Sequence, residues 1–164
     1  MTMVLLPPAT LGQTTETVLA SRDVGYTITC NAPVSISTTW ADARAGTVDG
    51  PNINRFGLGS HKGVNIGRYI IANVTAGTTA DGNPVAVIQK NTPADAWFGA
   101  TAGTVANDGL RQYSYAPVGT LVPGAYSTYA GTIRVTATIN PTQNLDMSTE
   151  ITLDGLSTMT VNYL

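Results

Sequence analysis

Charged residues are scarce in this chain of 164 residues. Only 11% of the residues are charged and the formal net charge is −2, whereas about a quarter of the residues of an average globular protein are charged. The eight lysine and arginine residues are scattered singly, which excludes the basic stripe that a nucleic-acid partner requires. No apolar run approaches the roughly 18 residues of a membrane-spanning helix. We therefore predict neither a nucleic-acid partner nor a membrane span.

Side chains for metal binding and catalysis are equally rare. One histidine, His61, and one cysteine, Cys30, are too few for any zinc pattern, and we predict no metal and no cofactor. A catalytic triad would have to include His61, whose glycine-rich surroundings favour a solvated loop histidine instead. The carboxylates Asp146, Glu150 and Asp154 lie among strand-like patterns, where we expect them in or beside turns. The sequence thus favours a non-enzymatic protein, with a small hydrolase acting through His61 as an open alternative.

Apolar and polar residues alternate with a period of two along most of the chain, which is typical of half-buried β-strands. Strands are predicted at 26–30 and 34–40, paired as a hairpin, and at 55–59, 65–72, 85–89, 111–116 and 127–139, the last as a central strand. A polar excursion is predicted at 75–83 with its turn at Asp81-Gly82, and a short helical turn at 93–97. Together these about eight to ten strands predict a single all-β domain over residues 1–164, an antiparallel β-sandwich.

The C-terminal residues 149–164 are the most informative stretch. Ile151 and Leu153 alternate with polar residues, Asp154-Gly155 suits a turn, and an alternating segment then runs to the end of the chain. This pattern predicts a strand, a tight turn and a closing strand. The closing strand would place Met159, Val161 and Tyr163 on its buried face.

Aromatic residues concentrate in one glycine- and proline-rich region. They are Trp97, Tyr113, Tyr115, Tyr126 and Tyr129. Core and strand-edge packing is the favoured explanation. The alternative is an exposed face that stacks against a sugar or contacts a protein.

Cys30 ends a predicted strand on its apolar face. It is either a small buried hydrophobic residue or one half of a disulfide, because secreted sandwiches commonly pair such a cysteine with one on an earlier strand. No cysteine precedes it here. The short apolar run 1–6, followed by Pro7-Pro8, lacks the positive charge of a signal peptide. We expect the chain to be an N-terminally shortened form of an exported protein.

Four segments resemble, in the same order, an uncharacterised family of exported proteobacterial fimbria-like proteins. They read VGYTITCNAP at 24–33, DARAGT at 42–47, FGLG at 56–59 with NIGRY at 65–69, and EITLDGLSTMTVNYL at 150–164. The resemblance extends over nearly the whole chain from about Leu11. Proteins of this family look like the pilin subunits of chaperone-usher systems.

The resemblance implies an immunoglobulin-like sandwich that is incomplete by one strand. A periplasmic chaperone and then a neighbouring subunit would supply that strand in a groove beside the C-terminal strand. It assigns Met159, Val161 and Tyr163 to this groove, and it places the protein in the periplasm, in a fimbrium or at the extracellular surface. The alternative is a stand-alone surface adhesin or carbohydrate-binding module, which would bind a host glycan or protein through the tyrosine-rich region.

Overall fold

The computed structural model describes residues 10–100 and 103–164, so the predictions made for residues 1–8 lie outside the described residues. The predicted all-β antiparallel sandwich is confirmed. Within the described residues the strands are β1 (Thr17–Val18), β2 (Arg22–Val34), β3 (Ile36–Asp42), β4 (Phe56–Gly57), β5 (Ser60–His61), β6 (Val64–Asn65), β7 (Gly67–Ala80), β8 (Asn83–Lys90), β9 (Phe98–Gly99), β10 (Gln112–Pro117), β11 (Tyr126–Ile139) and β12 (Ser157–Tyr163).

The first sheet is built around β11, which confirms the prediction of a central strand. One edge of β11 pairs with β2 and, near Ile139, with β1, while the other edge pairs with β7 along most of its length. Strand β4 pairs with β7 on its far side. The inner face of β11 is fully buried at Tyr129 and nearly so at Ile139. Between these two residues the inner face is only half-buried.

The second sheet has the strand order β9–β8–β10–β3–β12. It is joined to the first sheet by the turn between β7 and β8, where Ala80 pairs with Asn83. Asp81 and Gly82 in this turn have φ angles of 47° and 78°. A two-residue turn with two positive φ angles matches the right-handed twist of the strands that it connects. The predicted turn at this position is therefore confirmed.

Two groups of buried side chains fill the space between the sheets. The larger includes Trp40 of β3, Phe56 of β4 and Tyr69 of β7, with the Phe56 and Tyr69 rings stacked at 5.2 Å between centroids. The smaller is grouped around Tyr115 and Tyr129, whose ring centroids lie 4.9 Å apart. Burial of large aromatic rings contributes most to such cores because each ring removes about 150–250 Å² of surface from water.

The predicted hairpin between 26–30 and 34–40 is wrong. Strand β2 pairs with β11 in the first sheet, and β3 pairs with β10 and β12 in the second. The chain changes sheets at Ser35, the one residue between the two strands. Each strand then packs its apolar face against the opposite sheet. Tyr26 of β2 contacts Tyr115 of β10 in this way, through a hydrogen bond of 2.7 Å between their hydroxyls.

Two local predictions in the middle of the chain are also wrong. The expected polar excursion at 75–83 is instead a continuation of β7 as far as Ala80. The pairing of β7 with β11 shifts register between Ala130 and Thr132, and this irregularity accommodates the extra residues. The expected helical turn at 93–97 contains no helix; a single turn forms there, in which the Asp95 N–H donates to the Thr92 carbonyl at 3.1 Å.

Candidate strand-docking site beside the C-terminal strand

Strand β12 forms an edge of the second sheet. It pairs with β3 from Ser157 opposite Asp42 to Tyr163 opposite Ile36, and among the described residues no strand pairs with its other side. An unpaired edge presents a row of backbone N–H and C=O groups that can pair with another strand.

Two backbone hydrogen bonds show which residues of β12 contribute to this row. The Leu164 N–H donates to Ser35 at 3.0 Å, and Leu156 accepts from the Ala43 N–H at 2.9 Å. In an antiparallel pair, hydrogen-bonded residues alternate along each strand. The even-numbered residues of β12 therefore bond to β3, and the odd-numbered residues direct their N–H and C=O groups to the open edge. These odd-numbered residues are Ser157, Met159, Val161 and Tyr163.

An apolar cavity of about 300 Å³ lies between the sheets beside the start of β12. Its lining comes from β7, from β11, from the residue Leu58, and from the segment that leads into β12. The residues from the two long strands are Tyr69, Ile71, Ile133, Val135 and Ala137; those from the leading segment and β12 are Leu153, Gly155, Leu156 and Ser157. The half-buried part of the inner face of β11 is the part that lines this cavity.

The three residues predicted for the groove lie on the inner face of β12 and differ in burial. Met159 packs against the larger core group, whereas Val161 is 36% exposed and Tyr163 is 75% exposed. The prediction of a buried face is therefore wrong at Val161 and Tyr163. The reason is that β12 is the last of the described strands in its sheet, so no other described strand covers the inner face near its end.

The segment before β12 is not the strand that the alternation of Ile151 and Leu153 predicts. Residues 151–156 have no strand pairing and form an irregular connection along the cavity. Asp154 holds this connection at two points: its N–H donates to the Leu58 carbonyl at 2.9 Å, and its carboxylate accepts from Arg44 at 2.8 Å. Ile151 and Leu153 still pack against the core. The alternation therefore predicted the burial of these two side chains correctly, although no strand partner is present.

The short hairpin of β5 and β6 contacts residues 146–149, which precede the irregular connection in the chain. Lys62 of this hairpin donates to the Asp146 carboxylate at 2.6 Å, and His61 Nε2 lies 3.3 Å from Thr149 Oγ1. The hydrogen bond from Lys62, reinforced by hydrogen bonds from Ser148, holds the pKa of Asp146 well below its usual range. Asp146 lies directly before the turn at Met147-Ser148, which agrees with the prediction of a position in or beside a turn. Among the described residues the hydrogen bond of the His61 ring is with the Thr149 hydroxyl, and the hydrolase alternative stays a prediction.

The aromatic residues do not form a common exposed face. Tyr113 and Tyr115 are 3% exposed and Tyr129 is fully buried, so the favoured core packing describes these three. Tyr126 is half-buried and meets the Tyr129 ring edge-on. Trp97 is half-buried, and the Lys90 ammonium lies 4.7 Å from its ring centroid. Burial raises the pKa values of the Tyr113, Tyr115 and Tyr129 hydroxyls.

Cys30 is half-buried and packs against the smaller core group. Its thiol is free. This packing agrees with the small hydrophobic alternative, and the disulfide with a preceding cysteine stays a prediction.

Sequence inspection missed most of the residues that line the cavity. The alternation along 127–139 indicated that Ile133, Val135 and Ala137 share the inner face of β11. Nothing in the sequence indicates that the opposite sheet leaves this part of the face uncovered. To predict the uncovered part of the face, one would have to know the strand order, in which β12 is the last described strand of its sheet.

Comparisons with known proteins do not place this chain in a family. No family model matches it, and no curated protein matches it. The resemblance to fimbria-like proteins therefore stays a prediction. Within residues 10–100 and 103–164, no helix is long and apolar enough to span a membrane. The same described residues contain no group of three or more His, Cys, Asp or Glu side chains that could hold a metal ion.

Proposed function

We propose that this protein is a non-enzymatic, pilin-like structural subunit of a bacterial surface, stabilised or assembled by an added β-strand beside β12. The observation that carries the proposal is the edge of β12 that no strand of residues 10–100 and 103–164 pairs with, next to an apolar cavity. The partners would be a periplasmic chaperone and neighbouring pilin-like subunits. The protein would be located in the periplasm, in a fimbrium or at the extracellular surface.

The backbone of β12 supplies the affinity for such a strand. The odd-numbered residues Ser157, Met159, Val161 and Tyr163 have N–H and C=O groups that do not bond to β3. An incoming strand would pair with these groups in the manner of β-strand addition. Each backbone hydrogen bond contributes about 0.5–1.5 kcal/mol net, so binding does not depend on any single side chain.

The cavity would select among partner strands by their side chains. Its walls include Ile133, Val135 and Ala137 of β11 and Leu153 from the leading segment. Side chains of an added strand alternate between the two faces of the sheet, so the inward-facing residues next to the start of β12 would point towards this cavity. The proposal therefore requires a partner strand with apolar residues at alternate positions.

Hydrogen exchange measured by NMR with a synthetic peptide tests the proposal. The probe is a nine-residue peptide in which valine and threonine alternate, and the control peptide has proline at the central valine. At protein concentrations low enough for the chain to be monomeric and without peptide, the Thr160 N–H should be protected by β3 while the Met159 and Val161 N–H groups exchange rapidly. With the alternating peptide, we expect the exchange of the Met159 and Val161 N–H groups to slow by at least tenfold.

The matched protein control is Val161→Pro, which removes one outward N–H and keeps the pairing with β3. It should weaken peptide binding while the Thr160 N–H stays protected. The proposal fails if millimolar peptide leaves the outward N–H groups unprotected, or if the proline-containing peptide protects them equally well.

A further inference from the structure

Strand β12 lacks the features by which exposed edge strands usually avoid pairing with one another. Residues 157–163, which read STMTVNY, contain no charged residue and no proline. The register of β12 with β3 has no bulge. Natural edge strands are blocked by inward-pointing charges, prolines or bulges, and none of these is present here. Charge repulsion therefore does not oppose the pairing of one β12 with another.

We propose that two copies of this chain pair through their β12 strands, antiparallel and about a two-fold axis at Thr160, when no complementing strand is bound. The inference rests on the proposed function because it uses the same open edge. In this register Met159 lies opposite Val161 of the second copy, and Ser157 lies opposite Tyr163 of the second copy.

This register pairs the largest number of outward backbone N–H and C=O groups on the open edge. All four outward residues, Ser157, Met159, Val161 and Tyr163, face an outward residue of the second copy. Each facing pair exchanges two backbone hydrogen bonds, which gives about eight across the interface. Centring the axis on Met159 or Val161 instead would leave outward groups unpaired at the strand ends. A two-fold axis also makes the contact self-limiting, because both copies use the same surface.

The same register explains the exposure of Tyr163. Side chains of residues directly opposite one another in a sheet lie on the same face. Ser157 lines the apolar cavity, so Tyr163 of the second copy would reach the mouth of this cavity. The Tyr163 side chain is 75% exposed in the single chain, and burial of a tyrosine covers about 150–250 Å². The symmetric contact thus pairs an exposed aromatic ring with an apolar cavity on each copy.

Cysteine cross-linking in a Cys30→Ala background tests the position of the axis. Thr160 would face Thr160 of the second copy in a non-hydrogen-bonded pair, with Cα atoms about 4.5 Å apart, which is within the range that a disulfide bridges. We expect Thr160→Cys to form a disulfide-linked dimer on a non-reducing gel. Thr158→Cys is the matched control. Thr158 lies on the same outer face, but its counterpart in the second copy is four residues away along the strand, at least about 13 Å.

Sedimentation of the unmodified chain supplies a second measurement. We expect a concentration-dependent dimer whose Kd rises roughly 100-fold in Tyr163→Ala, since each of the two tyrosines would act as an interface anchor. A chain that stays monomeric up to millimolar concentration overturns the inference, as does equal cross-linking of Thr158→Cys and Thr160→Cys. A monomer whose edge still binds the alternating peptide would leave the proposed function intact. A dimer that no peptide dissociates would support the inference and count against the proposed function.

Discussion

Proline substitution at two adjacent residues of β12 should have very different effects on stability. The Thr160 N–H faces β3, where its hydrogen-bonded partner is Thr39, whereas the Val161 N–H faces the open edge. Proline has no N–H, so Thr160→Pro removes a ladder hydrogen bond, worth about 1 kcal/mol, and leaves the Thr39 carbonyl without its partner, at about 1–3 kcal/mol more. Val161→Pro removes an N–H that has no strand partner among the described residues, and proline is tolerated where the N–H of an edge strand faces solvent.

The expected losses in the free energy of unfolding are therefore about 2–4 kcal/mol for Thr160→Pro and below about 1 kcal/mol for Val161→Pro. Urea unfolding of dilute protein, followed by tryptophan fluorescence, measures both. With an m-value of about 2 kcal/mol/M, the Thr160→Pro midpoint should fall by about 1–2 M and the Val161→Pro midpoint by less than about 0.5 M. Equal midpoints for the two variants would refute the assignment of the open edge, and with it the docking site.

Two further predictions concern the core and the turn before β12. Tyr129→Phe should lower the free energy of unfolding by about 1–3 kcal/mol. The reason is that the buried Tyr129 hydroxyl donates to the Val34 carbonyl and accepts from the Tyr126 N–H at 3.2 Å. A loss below about 0.5 kcal/mol in urea unfolding would contradict this role. Lys62→Met should raise the pKa of Asp146 towards the usual value of 3.8, as followed by NMR titration of its carboxyl carbon. Because folding lowers this pKa, the associated stabilisation is present above about pH 4 and is lost as the pH falls through the folded-state pKa; an unchanged titration in the variant would exclude Lys62 as the main cause.

Local sequence patterns correctly predicted the features that depend on the conformation of neighbouring residues. The alternation along 127–139 predicted both the strand β11 and its inner face, since the side chains of a strand necessarily alternate between its two sides. Asp81-Gly82 predicted its turn because few residues other than Gly, Asn and Asp accept positive φ angles. The low charge and the absence of helical periodicity likewise predicted an all-β chain.

Pairing and exposure depend on contacts between residues far apart in the sequence, and here local patterns failed. Strands β2 and β3 are separated by a single residue but belong to different sheets, because each packs its apolar face against the sheet opposite. Ile151 and Leu153 alternate as in a strand, yet residues 151–156 form an irregular connection in which the Asp154 N–H donates to the Leu58 carbonyl. The sequence by itself determined which side chains are apolar and therefore favour burial. Only the tertiary structure decided that β12 is the last strand of its sheet among the described residues, and that Tyr163 is exposed.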